Sequence, residues 1–235
     1  MLTLEATDLH VDYSGSHVLR GVDIAVGRGE FVCLIGRNGV GKSTTMKALM
    51  GLAHVNAGTI KFNGKPLHSF PPHRIARLGI GYVPEERRIF PTISVLENLR
   101  VGVKRGATGQ TPWTIERVFM AFPRLKERSH QRAGTLSGGE QQMLSIARTL
   151  VGNPDIVLID EPTEGLAPLI VQAVEALLTE MHRTGIGILL VEQTLSMALS
   201  HAQRVYVMSK GEIVYSATPD GLANAHDIRK KYLEV

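Results

Sequence analysis

Only one cysteine, Cys33, occurs in 235 residues, so no disulfide can close within the chain and a reducing compartment suits it. That thiol sits in the apolar run Phe31-Val32-Cys33-Leu34-Ile35. A low-dielectric setting disfavours the thiolate, so packing rather than reactivity is its expected role. No apolar run approaches the roughly 18 residues that a membrane-spanning helix needs. If the protein works at a membrane, other chains must hold it there. The start, Met1-Leu2-Thr3-Leu4-Glu5, lacks both a basic lead and a long apolar stretch, which predicts no signal peptide. Charge of one sign is also in short supply. The formal net charge is +4, with Lys and Arg scattered rather than clustered, so no nucleic-acid partner is implied. None of the nine histidines has His-Glu-x-x-His spacing, so ordinary surface or core histidines are expected instead of metal ligands. Internal repeats and low-complexity tracts are missing as well.

What is present is ordinary globular usage, 43% apolar and 20% charged, in a length that fits one domain with an inserted lobe. The first third reads as strands: Leu2, Leu4 and Ala6 alternate with polar neighbours, as do Val22, Ile24 and Val26. Turn signals fall at Ser14-Gly15, Gly27-Arg28-Gly29 and Asn63-Gly64. Residues 31–35 are continuously apolar, as in a strand covered on both faces, and a helix is expected from Ser43 to near Gly51. The middle differs. Ser94-Val95-Leu96-Glu97 has the capping-box pattern of a helix start. Pro112 and Pro123 bracket a second helical stretch containing Trp113, Val118 and Phe119. Residues 85–132 therefore read as a helical lobe inserted between 1–84 and 133–235. In the last third, a capped helix opens at Ser137 and ends at Gly152. An apolar strand from Ile156 to Ile159, a helix from Pro168 to about Arg183 and a strand from Ile188 to Val191 follow. This alternation predicts an α/β fold with a mainly parallel sheet, closed by a hairpin around Lys210-Gly211.

The strongest local signal is Gly36-Arg37-Asn38-Gly39-Val40-Gly41-Lys42-Ser43-Thr44, which follows the buried strand and opens a helix. That is the context of a P-loop. Glycines let successive N–H groups curl round phosphate oxygens, and the helix start adds partial positive charge. Lys42 is placed to reach the β- and γ-phosphates of ATP, and the Ser43 hydroxyl to ligate Mg²⁺. The fixed positions arise by chance in roughly 1% of chains of this length, so the flanking strand and helix decide for the P-loop. The second signal is the apolar strand ending in Asp160-Glu161. It puts two acids at the carboxyl edge of the sheet, where α/β proteins bind ligands. Asp160 is the candidate Mg²⁺ partner, through water, and Glu161 the candidate group that orients or deprotonates attacking water.

Leu136-Ser137-Gly138-Gly139-Glu140-Gln141 resembles the signature motif of the ATP-binding cassette (ABC) ATPases, 23 positions before Asp160. The resemblance runs along nearly the whole chain. It implies a RecA-like P-loop core with an N-terminal antiparallel β-subdomain and an inserted α-helical subdomain. It also implies head-to-tail pairing, each ATP held between Lys42 of one subunit and Ser137, Gly138, Gly139 and Glu140 of the other. Tyr13 falls where the family stacks an aromatic on adenine. Three positions depart from the family pattern: Glu85 in place of a glutamine, Gln193 in place of the switch histidine, and Ala167 in place of an aspartate. A carboxylate at 85 still binds Mg²⁺, and an amide at 193 positions water but carries no imidazolium charge.

These departures, with Val83-Pro84-Glu85 and Leu190-Val191-Glu192-Gln193, resemble one ATPase subunit of bacterial branched-chain amino-acid importers. That resemblance implies a second, non-identical ATPase subunit (or a homodimer in isolation), two transmembrane permease subunits and, indirectly, a periplasmic solute-binding protein. The chain would then sit on the cytoplasmic face of the inner membrane. Two alternatives stand beside it. One is a nucleotide-gated cassette with weak intrinsic ATPase. The other is a soluble cassette ATPase of DNA repair or translation, which the compact single cassette disfavours.

Overall fold

The computed structural model describes residues 2–13, 15–104 and 113–233. Pro112 and the Ser14 half of the first expected turn lie outside the described residues.

Two long strands, β1 (Leu2–Tyr13) and β2 (Ser16–Gly27), pair antiparallel over nearly their full length. The next strand, β3 (Phe31–Ile35), is buried at all five positions and leads into α1 (Lys42–Leu49). Then β4 (Ala57–Phe62) turns back through Asn63-Gly64 into β5 (Lys65–Pro66). Both turn residues have positive φ, 48° and 77°, as a two-residue hairpin with the twist of its strands requires. A short α2 (Pro72–Arg77) precedes β6 (Ile80–Val83).

Three helices follow: α3 (Val95–Gly102), α4 (Ile115–Ala121) and α5 (Pro123–Glu127). Trp113 lies ahead of α4, outside the helix, because Thr114 is the N-cap and accepts a hydrogen bond from the Arg117 amide. The chain then alternates through α6 (Gly138–Leu150), β7 (Ile156–Asp160), α7 (Pro168–Arg183), β8 (Gly187–Glu192), α8 (Leu195–His201) and β9 (Arg204–Ser209). It finishes with β10 (Glu212–Ala217), α9 (Pro219–Asn224) and α10 (His226–Tyr232). Capping boxes open both α3 and α6, at Ser94/Glu97 and Ser137/Glu140.

The strands form a four-stranded sheet in the order β2-β1-β4-β5 and a six-stranded sheet in the order β10-β9-β3-β8-β7-β6. In the larger sheet all pairings are parallel except the β9–β10 hairpin at the edge. Its two faces sort the apolar residues by the period of two that a strand imposes. Cys33, Val157, Ile159, Ile188 and Leu190 join one cluster with Val95, Leu99, Val118 and Leu125 of the helices. Val32, Leu34, Ile156, Leu158, Leu189 and Val191 join the other, with α1 and the four-stranded sheet. Covered on both sides, the central strands are apolar throughout 31–35, 156–159 and 188–191, which is why they show no alternation in the sequence.

One buried polar side chain fixes the loop between β6 and α3. Asn98 accepts from the Phe90 amide at 2.9 Å and donates to the carbonyls of Phe90 and Ser94 at 3.0 and 2.9 Å. Replacing Asn98 by Ala leaves those backbone groups unpaired out of water, and about 2 kcal/mol or more of stability is expected to go. Denaturant unfolding checks this, with the exposed Arg124→Ala expected within about 0.5 kcal/mol of wild type.

Candidate functional site

Three neighbouring strands end side by side. Parallel register puts Ile35 of β3 beside Glu192 of β8, and Val191 beside Asp160 of β7. The loop at 36–41, the pair Asp160-Glu161 and the pair Glu192-Gln193 therefore leave the sheet at one edge.

The loop after β3 is shaped by its glycines. A Cβ at Gly36 would collide with the Met208 carbonyl of β9. Gly41 has φ 115°, and caps α1 without any side-chain hydrogen bond. The amides there remain turned toward an incoming acceptor. The β9–β10 hairpin braces the loop from behind, where the Gly211 amide donates to Val40 O at 2.9 Å. Lys42, only 4% exposed, donates to the carbonyls of Gly36 and Arg37 at 2.9 and 3.1 Å.

Glu161 closes the site from the other side. Its φ is 44°, a conformation that side chains with a Cβ adopt at a cost, and its amide donates to Val191 O at 3.0 Å. One carboxylate oxygen lies 3.1 Å from Lys42 Nζ, and the other accepts from Gln193 Nε2. Glu192 is buried and accepts from Thr163 Oγ1 at 2.8 Å, which ties the turn after Glu161 back to β8. Burial pushes the Glu192 carboxyl above its ordinary range.

The cavity enclosed this way has a volume of about 300 Å³. Asn38, Gly39, Gly41, Lys42, Ser43, Thr44, Glu85, Glu161 and Gln193 line it, so the structure gathers most of the P-loop with both substituted polar positions. Val18 and Glu164 line it too, and sequence spacing singled out neither for this place. The Tyr13 side chain, 45% exposed at the end of β1, is outside that lining. Ser137, Gly138, Gly139 and Glu140 stand apart at the start of α6.

Ser43 Oγ donates to Asp160 Oδ1 at 3.2 Å. A hydroxyl and a carboxylate side by side at the phosphate end are hard oxygen donors of the kind Mg²⁺ takes together with substrate phosphates. Among the described residues no group of three acidic, histidine or cysteine side chains forms a ready-made metal cage. The donor set thus fits a metal that arrives with a phosphate ligand. Asp160 is 1% exposed, and burial chiefly, with the Glu161 and Glu85 carboxylates adding to it, raises its pKa from 3.8 to about 6 against the opposing Ser43 hydrogen bond.

A family model described as ABC transporter matches residues 19–164. The chain is 42% identical over 221 residues, 94% of it and 95% of the relative, to the high-affinity branched-chain amino acid transport ATP-binding protein BraG of Pseudomonas aeruginosa. It is 32% identical over 240 residues, 99% and 98% of the two chains, to the lipopolysaccharide export system ATP-binding protein LptB of Haemophilus influenzae. The crystal structure of the ADP conformation of MJ1267, an ATP-binding cassette of an ABC transporter, superposes with a TM-score of 0.82 at 26% identity, covering 98% of this chain and 96% of that one.

The raised Asp160 pKa has a signed consequence. Between about pH 4 and pH 6 the folded protein keeps a proton that the unfolded chain has lost, so stability falls as pH rises through that window. Asp160→Asn removes that residue's share of the dependence. Without added nucleotide or magnesium it is expected to stabilise the protein at pH 7 by on the order of 1–3 kcal/mol, read from denaturant midpoints at pH 4 and pH 7.

Proposed function

We propose, from the premise that this chain belongs to the ABC transporter family and is one of its ATP-hydrolysing subunits, that it powers import of branched-chain amino acids across a bacterial inner membrane. The observation that carries the catalytic part is the Glu161 carboxylate suspended between Lys42 and Gln193 at the mouth of the P-loop cavity. Likeness to the Pseudomonas protein over nearly the full length supports the solute. The likeness to lipopolysaccharide-export relatives is lower.

The P-loop amides and Lys42 bind the β- and γ-phosphates, and to do so Lys42 turns part of its charge away from Glu161 and the loop carbonyls. Glu161, freed on that side and still held by Gln193, orients the attacking water and takes its proton. Ser43 and Asp160, with Glu85 beside them, would hold Mg²⁺, which supplies charge neutralisation at the β- and γ-oxygens when bound. Gln193 contributes an amide donor where a histidine would add charge, so it positions without titrating. Tyr13 stacks on adenine in this reading. Ser137, Gly138, Gly139 and Glu140 serve a nucleotide held by the partner ATPase. Residues 85–132 are the lobe that follows nucleotide closure and passes it to two permease subunits. Among the described residues no helix is long and apolar enough to cross a membrane, so in this reading the permeases hold the subunit at the cytoplasmic face.

Lys42→Ala is expected to weaken ATP binding, while Glu161→Gln keeps binding and lowers turnover about 100-fold or more. Normal turnover in Glu161→Gln would remove that residue from the chemistry. For the solute, the assembled complex in proteoliposomes is expected to consume ATP faster when the binding protein carries leucine, isoleucine or valine. Indifference to all three contradicts the import reading.

A further inference from the structure

Behind the carboxylates that close the P-loop cavity lies a second cleft of about 540 Å³. Glu85, Glu161 and Glu164 line both spaces and form the wall between them. The rest of the cleft is built differently: Glu86, Arg87, Arg88, Gln141 and Gln142 supply its polar groups, beside an apolar strip that includes Leu166. Arg88 is engaged, 2.8 Å from Glu86. Arg87 is half-buried and makes no hydrogen bond or ion pair among the described residues. A left-handed backbone, φ 57°, carries it to the first turn of α6, where a Cβ on Gly138 would collide with its guanidinium.

A cation without a counter-ion at the positive end of a 13-residue helix is electrostatically unfavourable, and an anion relieves it. Gln142 makes an independent demand on the same cleft. It is 2% exposed, and its Nε2 has no acceptor. Buried amide donors are rarely left in that condition. Arg87 and Gln142 together offer forked, charge-assisted donors and a neutral donor, the set that suits a tetrahedral oxyanion.

We infer that this cleft binds inorganic phosphate on its way out of the site. The inference rests on the ATPase reading for the origin of the phosphate. Water oxygen bonds to the γ-phosphorus, the bond from phosphorus to the β–γ bridging oxygen breaks, and ADP keeps that oxygen. The water proton passes to Glu161. Orthophosphate is then left beside the charged Glu85 and Glu164, which repel it, and the newly protonated Glu161, while Arg87 and Gln142 on the far side attract it. The charge gradient runs outward through the cleft and away from the nucleotide, so ADP need not leave first.

The test is calorimetric titration of inorganic phosphate into the full-length chain saturated with ADP. Arg87→Ala is expected to weaken phosphate binding about tenfold or more and Gln142→Met about fivefold, with Arg87→Lys recovering most of the loss. ADP affinity is expected to stay unchanged in all three, which separates loss of the site from loss of the fold. Absence of phosphate binding, or binding that weakens in Ser43→Ala but not in Arg87→Ala, overturns the inference. Failure of the wild-type chain to bind ADP refutes the ATPase reading instead. Phosphate is then titrated into the chain alone and judged by the same Arg87 and Ser43 criterion.

Discussion

The ion pair between Lys42 and Glu161 joins two segments that only the parallel sheet brings together. Lys42 opens α1 after β3, and Glu161 follows β7, with β8 between the two strands. Both side chains are nearly fully buried, so each charge needs the other or a substitute. That need makes the site responsive. A triphosphate in the loop offers Lys42 a stronger partner, and whatever Lys42 gives up leaves Glu161 with a free lone pair beside the γ-phosphate.

The charge balance of the edge supports the same reading. Glu85, Asp160, Glu161, Glu164 and Glu192 crowd round one buried ammonium. Burial chiefly, with the neighbouring Glu161 charge adding to it, raises Asp160 and Glu192, and the Glu164 carboxyl is raised first by its hydrogen bond with Glu161. Such a surplus of carboxylate does not suit a bare polyanion. It suits a phosphate that brings its own divalent cation, and it disfavours retention of free phosphate after the bond breaks. The acids that assist the reaction are on this view also what expels the product.

Legibility in the sequence followed the range of each interaction. The P-loop, both capping boxes and the Asn63-Gly64 and Lys210-Gly211 turns are local, and their residues carry their own geometry. The apolar runs at 31–35, 156–159 and 188–191 announced buried strands because the central sheet is covered on both faces. Their spatial order did not follow, since no residue of β3 says that β8 and β9 flank it. The contacts of Glu161 with Lys42 and Gln193 depend on that order and on a left-handed turn that a glutamate does not advertise. Val18 entered the cavity for the same reason: β2 is positioned by its sheet and carries no motif. The prolines at 112 and 123 bracket Trp113 with the helix that follows, but the Thr114 cap excludes it. No sequence motif singles out Arg87, and only its packing on Gly138 sets it apart.

The most direct measurement is the dissociation constant of a non-hydrolysable ATP analogue, with magnesium, for wild type and Glu161→Gln. If Lys42 must be drawn away from Glu161 to take up phosphate, neutralising that carboxylate tightens binding about threefold or more. Equal or weaker binding by Glu161→Gln contradicts a Lys42 shared between carboxylate and nucleotide.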